Sequence, residues 1–282
     1  MSTRALFASD LHGRSGRYEK LLAAVEAERP AGVFLGGDLL PGGASPESGG
    51  FLLDWLGPRL AGLRSRLGSA WPRVFAIFGN DDPRSEVDSL AELERRGLVE
   101  HAHGRRLVLG RHAVYGYACV PPTPFLLKDW ERYDVSRFVD PGCVSPEEGV
   151  RSVAAPEGEA RWGTMAVDIE ALVGGADLSD AVFLFHSPPH GTALDRAALD
   201  GRTVDHVPLD VHVGSIAIRR FVESRQPLLT LHGHVHESAR LTGAWQERIG
   251  GTVCLSAAHD GPELALVRFD LARPEDATRE LL

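Results

Sequence analysis

The sequence predicts an α/β protein built around a mostly parallel sheet. Three apolar, strand-like segments lie at residues 4–9, 32–35 and 73–78, and each is followed by a segment with apolar side chains on one helical face. Strands that alternate with helices in this way favour parallel pairing, because the helix carries the chain back across the sheet. Apolar residues make up 43% of the 282 positions, which is ordinary for a globular protein, and no apolar run is long enough to cross a bilayer.

The helix-like segments repeat their apolar side chains with the period of an α-helix. The first, at 15–28, places Leu21 and Val25 on one side, and two more cover residues around 51–60 and 85–96. The loop that leads into the second of these helices is rich in glycine and serine. The first hundred residues therefore predict three successive strand-loop-helix units.

The second half of the chain returns to this alternation after short strands at 107–109 and 113–115. The further elements predicted are helices at 164–173 and 215–223, and strands at 181–185, 226–231, 253–256 and 264–269. The polar tail after Pro274 is expected to fray.

Residues 120–163 interrupt the pattern, since they are rich in proline, glycine and charge. Long irregular loops inside compact domains are usually functional or mobile. We therefore predict one domain over residues 1–282, with a loop-rich cap inserted at 120–163. Lys128, Arg132 and Arg137 of this segment either meet an anionic substrate or lie on a solvated surface.

The net charge and the cysteine spacing disfavour several classes of function. The net charge of −9 disfavours binding to nucleic acid or to an anionic membrane, because such binding comes largely from lysine and arginine that neutralise phosphates. Cys119, Cys143 and Cys254 lie far apart, in no metal-ligand or redox spacing, and we expect them to be packing residues. The first ten residues run into a strand-like segment without the apolar region of a signal peptide, so we expect a cytoplasmic protein.

The most informative stretch is His232-Gly-His234-Val-His236, directly after the apolar strand at 226–231. α/β folds place their ligand sites beyond the carboxyl ends of strands. Residues two apart in extended backbone point the same way, about 6.5–7 Å apart, so His234 and His236 are placed to reach one each of two metal ions about 3.5–4 Å apart. The alternatives, a surface histidine cluster or an expression tag, do not explain a position inside the chain behind a buried strand.

Other strand ends carry side chains of the same kind. The candidate metal ligands collected from the strand ends are Asp10, His12, Asp38, Asn80, His186, His234 and His236. Taken singly, an aspartate after a strand is commonly a helix cap and an asparagine after glycine is commonly a turn residue. Together, these oxygens and imidazole nitrogens suit Mn²⁺, Zn²⁺, Fe or Co, and contain too much nitrogen for a Ca²⁺ or Mg²⁺ cage.

The order of these motifs, Asp-x-His, Gly-Asp, Gly-Asn-x-Asp, a lone His and Gly-His-x-His, closely resembles the calcineurin-like metallophosphoesterase superfamily. The stretches HSPP, LKDWERYD and HGHVHES are similar to an uncharacterised prokaryotic branch rather than to the protein Ser/Thr phosphatases. The resemblance implies a four-layer sandwich in which helices flank two mixed β-sheets. It also implies a dinuclear site with two divalent transition-metal ions, Mn²⁺ first, with Fe, Zn, Co or Ni as alternatives.

The resemblance also implies a place for each candidate ligand. The ligands implied are Asp10, His12 and His236 for one ion, Asn80, His186 and His234 for the other, and Asp38 as the bridge. Among these ligands, only Asp10 and Asp38 carry negative charge. About two of the four positive charges of the two divalent ions would therefore remain to attract a phosphoryl group. We hypothesise that a metal-bound hydroxide attacks phosphorus in line with the leaving group, while the ions stabilise charge on the equatorial oxygens.

One position departs from the best-known pattern of the superfamily. Many members carry a histidine directly after the motif asparagine, placed to assist the leaving group, where this chain has Asp81. The candidates for the general acid are therefore Asp81, His190 and His232. Asp81 and Asp82 are equally well placed to cap the helix that follows Pro83.

A second departure follows Asp38, where Leu-Leu-Pro-Gly-Gly lacks the second aspartate and the arginine typical of protein phosphatases, so a phosphoprotein substrate is disfavoured. His206 and His212, in the loop before a helix, are candidates for substrate contact.

The sequence thus predicts a metal-dependent hydrolase of a small phosphomonoester or phosphodiester. The alternatives are a nuclease-type phosphodiesterase and a non-catalytic scaffold that retains the fold.

Overall fold

Two six-stranded sheets form the centre of the protein in the computed structural model, which describes residues 3–42 and 50–282. The strands of the first sheet are β1 (Arg4–Ala8), β2 (Gly32–Gly36), β3 (Arg73–Ile77), β4 (Glu100–His101), β13 (Ala265–Asp270) and β14 (Thr278–Leu281). Their order is β14-β13-β1-β2-β3-β4. Strands β1 to β4 are parallel, whereas β13 and β14 run antiparallel to their neighbours.

The second sheet has a parallel centre and antiparallel edges. Its strands are β5 (Arg106–Leu109), β6 (His112–Tyr117), β7 (Val182–Phe185), β10 (Leu229–His232), β11 (Gln246–Ile249) and β12 (Thr252–Ser256), in the order β11-β12-β10-β7-β6-β5. The four central strands pair in parallel, and β5 and β11 pair antiparallel to them. A separate hairpin joins β8 (Thr203–Val204) to β9 (Val207–Pro208).

Helices flank both sheets. They are α1 (Ser15–Glu28), α2 (Gly57–Leu67), α3 (Val87–Arg95), α4 (Glu157–Trp162), α5 (Met165–Val173), α6 (Ile216–Arg225) and α7 (Ser238–Thr242), with a π-helical segment at Phe51–Leu56 leading into α2. Short 3-10 turns lie at Gly68–Ala70, Arg84–Glu86, Ala193–Asp195 and Pro274–Asp276. Two mixed sheets flanked by helices confirm the predicted fold class. No helix within residues 3–42 and 50–282 is long and apolar enough to cross a membrane.

The two sheets face each other through buried apolar side chains. Strand β2 lies against β7, and β3 lies against β6. The rings of Phe34 and Phe75 stack at 5.1 Å in the first sheet. On the helix side of the second sheet, Tyr115 and Phe183 stack at 4.8 Å, and Phe183 packs against Phe221 of α6 at 4.9 Å. All five rings are buried, and each contributes roughly 1.5–3 kcal/mol of burial free energy. The packed sheets therefore fix the strand ends, and with them the loops that follow.

The sequence predictions fail mainly at the sheet edges. Strands β4, β11 and β14 were not expected, and the prediction that the tail after Pro274 frays is wrong, because β14 pairs along β13. The side chains of β14 are largely exposed, so this edge strand lacks the buried, apolar run by which strands are recognised. Residues 43–49 of the predicted glycine- and serine-rich loop lie outside the described residues.

Residues 120–163 are tied to the rest of the fold at two points. Apart from α4 and isolated bridges, the segment has no regular structure. Its Asp129 accepts a hydrogen bond from the backbone N–H of Arg84, after β3, at 2.7 Å. Its Asp134 accepts one from the backbone N–H of Ile216, the first residue of α6, at 2.6 Å. The division of the chain into one domain and a cap stays a prediction.

The basic side chains of this segment are paired with its own acids. Lys128 is fully buried, with Nζ 2.5 Å from Glu131 Oε2 and 2.9 Å from the carbonyl oxygen of Thr123. Arg132 and Arg137 form ion pairs with glutamates of the same segment. For Lys128 both expectations are wrong, because its buried ammonium group is paired with Glu131. Arg132 and Arg137 are paired with glutamates too, so their charges also hold the segment together, and their contact with an anionic substrate stays a prediction.

The Lys128 pair gives a test of this packing. Lys128→Met should lower the free energy of unfolding by about 3–5 kcal/mol, because it leaves the buried carboxylate of Glu131 without a cation. Urea unfolding measures the change. The double variant with Glu131→Gln should recover most of the loss, since glutamine carries no charge and still accepts the N–H of Thr123. A single variant as stable as the unsubstituted protein would contradict the assigned role.

Candidate metal centre

The seven candidate ligands all follow the carboxyl ends of parallel strands, at one edge shared by the two sheets. In the first sheet, Asp10 and His12 follow β1, Asp38 follows β2 and Asn80 follows β3; in the second, His186 follows β7, and His234 and His236 follow β10. This is where open α/β sheets place their ligand sites. The structure brings the seven residues together into two adjoining groups.

One group contains Asp10, His12, Asp38 and His236, whose ligand atoms all lie within 4.8 Å of one another. His236 Nε2 lies 3.3 Å from Asp10 Oδ1 and 3.2 Å from His12 Nε2. His12 Nε2 is also 3.9 Å from Asp38 Oδ2. Two carboxylates and two imidazoles thus converge on one small volume.

The other group lies on the far side of Asp38. His186 Nε2 is 3.3 Å from Asp38 Oδ2 and 3.2 Å from Asn80 Oδ1. The ring of His234 lies 5.2 Å from that of His186, measured between centroids. Asp38 is therefore adjacent to both groups, since the same oxygen faces His12 on one side and His186 on the other.

The loop backbone is shaped by unusual conformations at the ligands themselves. Asp10, His12, Asp38 and His234 all have positive φ angles, of 56°, 48°, 51° and 72°. This left-handed conformation costs roughly 1–2 kcal/mol for most residues and clusters at functional sites. Backbone hydrogen bonds hold it, from Asp10 N to the carbonyl of Gly37 at 2.9 Å and from His12 N to that of Asp38 at 2.8 Å.

Two glycines keep the site open. A Cβ atom on Gly79 would overlap Asp38 Oδ1 and lie 2.6 Å from His186 Nε2. A Cβ atom on Gly233 would overlap Ser9 Oγ and lie 2.7 Å from Asp10 Oδ2. A side chain at position 79 would therefore occupy the space between two candidate ligands, and one at position 233 would crowd the carboxylate of Asp10.

The donor set suits divalent cations. Asp10 Oδ2 is buried and has no hydrogen-bond partner, so one carboxylate oxygen remains to be satisfied. His186 Nδ1 donates to the carbonyl oxygen of Gly36 at 2.8 Å, which leaves the lone pair on Nε2, facing Asp38 and Asn80. Unpaired carboxylate oxygen and oriented imidazole nitrogen are ligands that transition metals prefer.

The negative charge of the buried carboxylates also favours the binding of cations at the site. Burial alone would raise the pKa of Asp10, but its hydrogen bond to His236 and the charges of the nearby histidines hold it below its usual range. Burial opposes protonation of His186 and His236, yet Asp38 raises the pKa of the first to about 10 and Asp10 that of the second to about 9. The carboxylates thus draw protons onto the histidines, so metal ions compete with protons and bind less tightly at low pH.

Asp82 joins two of the site loops. It is fully buried and accepts backbone hydrogen bonds from Gly79 at 2.8 Å, Leu39 at 3.0 Å and Leu40 at 2.8 Å. Burial and the charge of Asp38 raise its pKa to about 8. The turn after Pro83 and α3 both begin without a side-chain cap, so the predicted capping by Asp81 or Asp82 is wrong.

Asp81 lies beside the candidate ligands and is open to solvent. Its backbone N–H donates to Asp38 Oδ1 at 2.9 Å, its Oδ2 is 3.8 Å from His12 Nδ1, and its side chain is 40% exposed. Burial and the charge of Asp38 raise its pKa, which favours the protonated carboxyl. Of the three general-acid candidates, Asp81 is the one in contact with the candidate ligands.

The other two candidates differ from Asp81 in position. His232 is fully buried; its Nδ1 lies 2.9 Å from the carbonyl oxygen of Ser187 and its Nε2 2.7 Å from Thr230 Oγ1. Burial lowers its pKa to about 3. Both nitrogens are occupied, so a role as acid for His232 conflicts with the structure. His190 lies at the surface, with Nε2 3.3 Å from Asp210 Oδ2.

The candidates for substrate contact, His206 and His212, lie in the loop that ends at α6. His206 is exposed in the turn between β8 and β9. His212 Nδ1 is 2.7 Å from Oδ1 of Asp195, a buried carboxylate that also accepts the backbone N–H groups of Gly191 and Thr192. Within the described residues, neither histidine contacts the seven candidate ligands. Their role in substrate contact stays a prediction.

A family model for calcineurin-like phosphoesterases matches residues 3–238, a range that contains all seven candidate ligands. The chain belongs to the calcineurin-like phosphoesterase family. The predicted superfamily is therefore confirmed, and so is the enzyme class, a metal-dependent hydrolase of phosphoric esters. Members of the family generally use two divalent metals and act on small phosphate esters.

Solved structures share this fold at low sequence identity. The protein TT1561 of Thermus thermophilus has a TM-score of 0.58 and 18% identity, with 100% of this chain and 99% of that chain covered. A dimetal phosphatase from Danio rerio has a TM-score of 0.53 and 13% identity, with coverages of 94% and 91%. At these identities the likeness extends to the fold alone. No curated protein matches the chain.

Gly79 provides a test of the site geometry. Gly79→Ala should weaken metal binding on the order of 10–100-fold, because its methyl group would displace Asp38 and His186 from each other. Calorimetric titration with Mn²⁺ measures the affinity, and circular dichroism checks that the variant is folded.

Gly16→Ala is the matched control, since Gly16 lies in α1 with open space around the new methyl group. This variant should bind Mn²⁺ like the unsubstituted protein. Equal affinities for the Gly79 and Gly16 variants would contradict the proposed proximity of the ligands at Gly79.

Proposed function

We propose that the protein is a dinuclear-metal phosphoesterase that hydrolyses a small phosphomonoester or phosphodiester. The observation that carries this proposal is the position of Asp38, whose Oδ2 lies 3.3 Å from His186 Nε2 and 3.9 Å from His12 Nε2. A buried carboxylate between two clusters of metal-binding side chains is suited to bridge two cations. The family membership of the chain supports the same reaction class.

The residues that would hold the two ions follow the two groups described above. The proposed ligands are Asp10, His12 and His236 for one ion, Asn80, His186 and His234 for the other, and Asp38 for both. We propose Mn²⁺ as the preferred metal, because mixed oxygen and imidazole ligands suit it. When bound, the two cations supply positive charge for the phosphoryl group and lower the pKa of water to near 7.

The chain itself contributes orientation and a proton. Hydrogen bonds to backbone carbonyls and the left-handed loops fix the ligand side chains before substrate arrives. We propose that Asp81 donates a proton from its carboxyl group to the leaving oxygen, because it combines contact with the site and exposure to solvent. His190 is the alternative acid, if the substrate extends towards the loop after β7.

A small substrate fits the surroundings of the site better than a polymer. The net charge of −9 opposes association with nucleic acid. Lys128, Arg132 and Arg137, for which contact with an anionic substrate was one of two expectations, are paired with glutamates of residues 120–163. The positive charge that attracts a phosphate is therefore assigned to the two cations.

The first test combines metal content with turnover. Protein prepared without a His-tag or added metal should contain transition metal, and with added Mn²⁺ should hydrolyse p-nitrophenyl phosphate or its bis ester, but not plasmid DNA. Asp38→Asn, in which the bridging carboxylate loses its charge, should lose the second ion and the activity together.

Each alternative gives a different result in that test. Nicking of plasmid DNA at a rate comparable with ester turnover would favour a nuclease. Absence of both metal and turnover would favour a non-catalytic scaffold. An Asp38→Asn variant that keeps two ions and full activity would refute the bridging role.

The role of Asp81 is tested by the choice of leaving group. Asp81→Asn should lower kcat for an alkyl phosphate ester by about 10²–10⁴-fold. It should affect a p-nitrophenyl ester far less, because p-nitrophenolate departs without a proton. The acid must be protonated, so activity of the unsubstituted protein on the alkyl ester should fall as pH rises through the pKa of Asp81, and the variant should lack that fall. Equal loss on both esters would exclude Asp81 as the acid.

A further inference from the structure

Arg17 is a buried cation at the start of α1 that binds backbone oxygens. Its side chain is almost fully buried. Nη1 donates to the carbonyl oxygen of Asp10, Nη2 donates to that of Gly261 at 2.5 Å, and Nε lies 3.5 Å from that of Pro262. A buried charge is unfavourable unless it is well hydrogen-bonded, and here all three nitrogen atoms face main-chain carbonyls.

The carbonyls that Arg17 binds belong to two loops at the metal centre edge. One follows β1 and contains Asp10, whose φ of 56° is left-handed. The other, with Gly261 and Pro262, connects β12 of the second sheet to β13 of the first. The guanidinium therefore links the loop that carries a proposed metal ligand to the loop that joins the two sheets.

Tyr18, the next residue of α1, holds the loop that follows β2. Tyr18 is buried, and its hydroxyl donates to the carbonyl oxygen of Leu39, next to Asp38, at 2.8 Å. The start of α1 thus holds the backbone beside both carboxylates of the centre. Of the two contacts, only that of Arg17 reaches the ligand residue itself.

The geometry of these contacts requires a guanidinium. Three carbonyls from different residues are met by nitrogens spread over a rigid plane, whereas a lysine offers one nitrogen on a flexible stem. A neutral side chain of similar length would leave the carbonyl of Asp10 without this donor. The peptide plane that follows Asp10 would then lose its hydrogen bond from the guanidinium.

We propose that Arg17 is a positioning residue for the metal centre: by holding the carbonyl of Asp10 it aims the carboxylate whose Oδ1 faces His236 and whose Oδ2 has no hydrogen-bond partner. The inference rests on the proposed function, since it takes Asp10 as a ligand. Residues that orient metal ligands typically change metal affinity about 10–100-fold when replaced. The effect should fall mainly on the ion held by Asp10.

The test is a Co²⁺ titration of Arg17→Met, Arg17→Lys and the unsubstituted protein, read by visible absorption of the bound cobalt. Arg17→Met should bind one ion about 10–100-fold more weakly, with an altered spectrum, while the other ion binds as before. Arg17→Lys keeps the charge but not the planar set of donors, so it should fold and still bind that ion weakly. Lys20→Met, which removes an exposed charge from the same helix, is the control and should bind both ions normally.

The outcomes separate this inference from the proposed function. Full affinity for both ions in Arg17→Met, or full recovery in Arg17→Lys, would overturn the positioning role. A lower unfolding temperature of the metal-free variant with unchanged cobalt affinity would assign Arg17 to stability alone and overturn it too. Failure of the unsubstituted protein to bind cobalt would instead refute the proposed function, and the role of Arg17 with it.

Discussion

Two carboxylates, those of Asp10 and Asp38, are buried at the edge shared by the two sheets, and the organisation of the site follows from that burial. Within the described residues, their ion pairs are formed with the imidazoles of His12, His186 and His236 and with no lysine or arginine. Burying an ionised carboxylate is costly unless a cation compensates it. Two divalent cations would provide that compensation, and the same surplus charge would bind a phosphate ester.

The fold holds these carboxylates and the loops around them in position before any ion binds. Parallel strands from both sheets end at one edge, and β2 and β3 of the first sheet lie against β7 and β6 of the second. Asp82 ties the loop after β3 to the loop after β2, while Arg17 and Tyr18 hold the carbonyls of Asp10 and Leu39. The left-handed residues of the site persist because these hydrogen bonds, each worth about 1 kcal/mol net, are made at several points along the same loops.

The central strands and the candidate ligands could be predicted from the sequence, because an apolar strand followed by polar residues is a pattern within a short stretch of chain. The strand ends led to the seven candidate ligands, and the motif order led to the family. Edge strands such as β14 were missed, since exposed side chains do not show the buried pattern. The pairing of Lys128 with Glu131 was missed because ion pairs inside an irregular segment leave no periodic trace. The burial of Arg17 could have been predicted from the sequence. It lies four residues before Leu21 and eight before Val25, a spacing that places it on the same, buried face of α1.

The central claim is that Asp38 bridges two cations, and anomalous diffraction from crystals grown with Mn²⁺ tests it most directly. We expect two anomalous peaks about 3.5–4 Å apart, with Asp38 in contact with both. One peak should lie against Asp10, His12 and His236, and the other against Asn80, His186 and His234. A single peak, or two peaks of which only one contacts Asp38, would contradict the bridging role of that carboxylate.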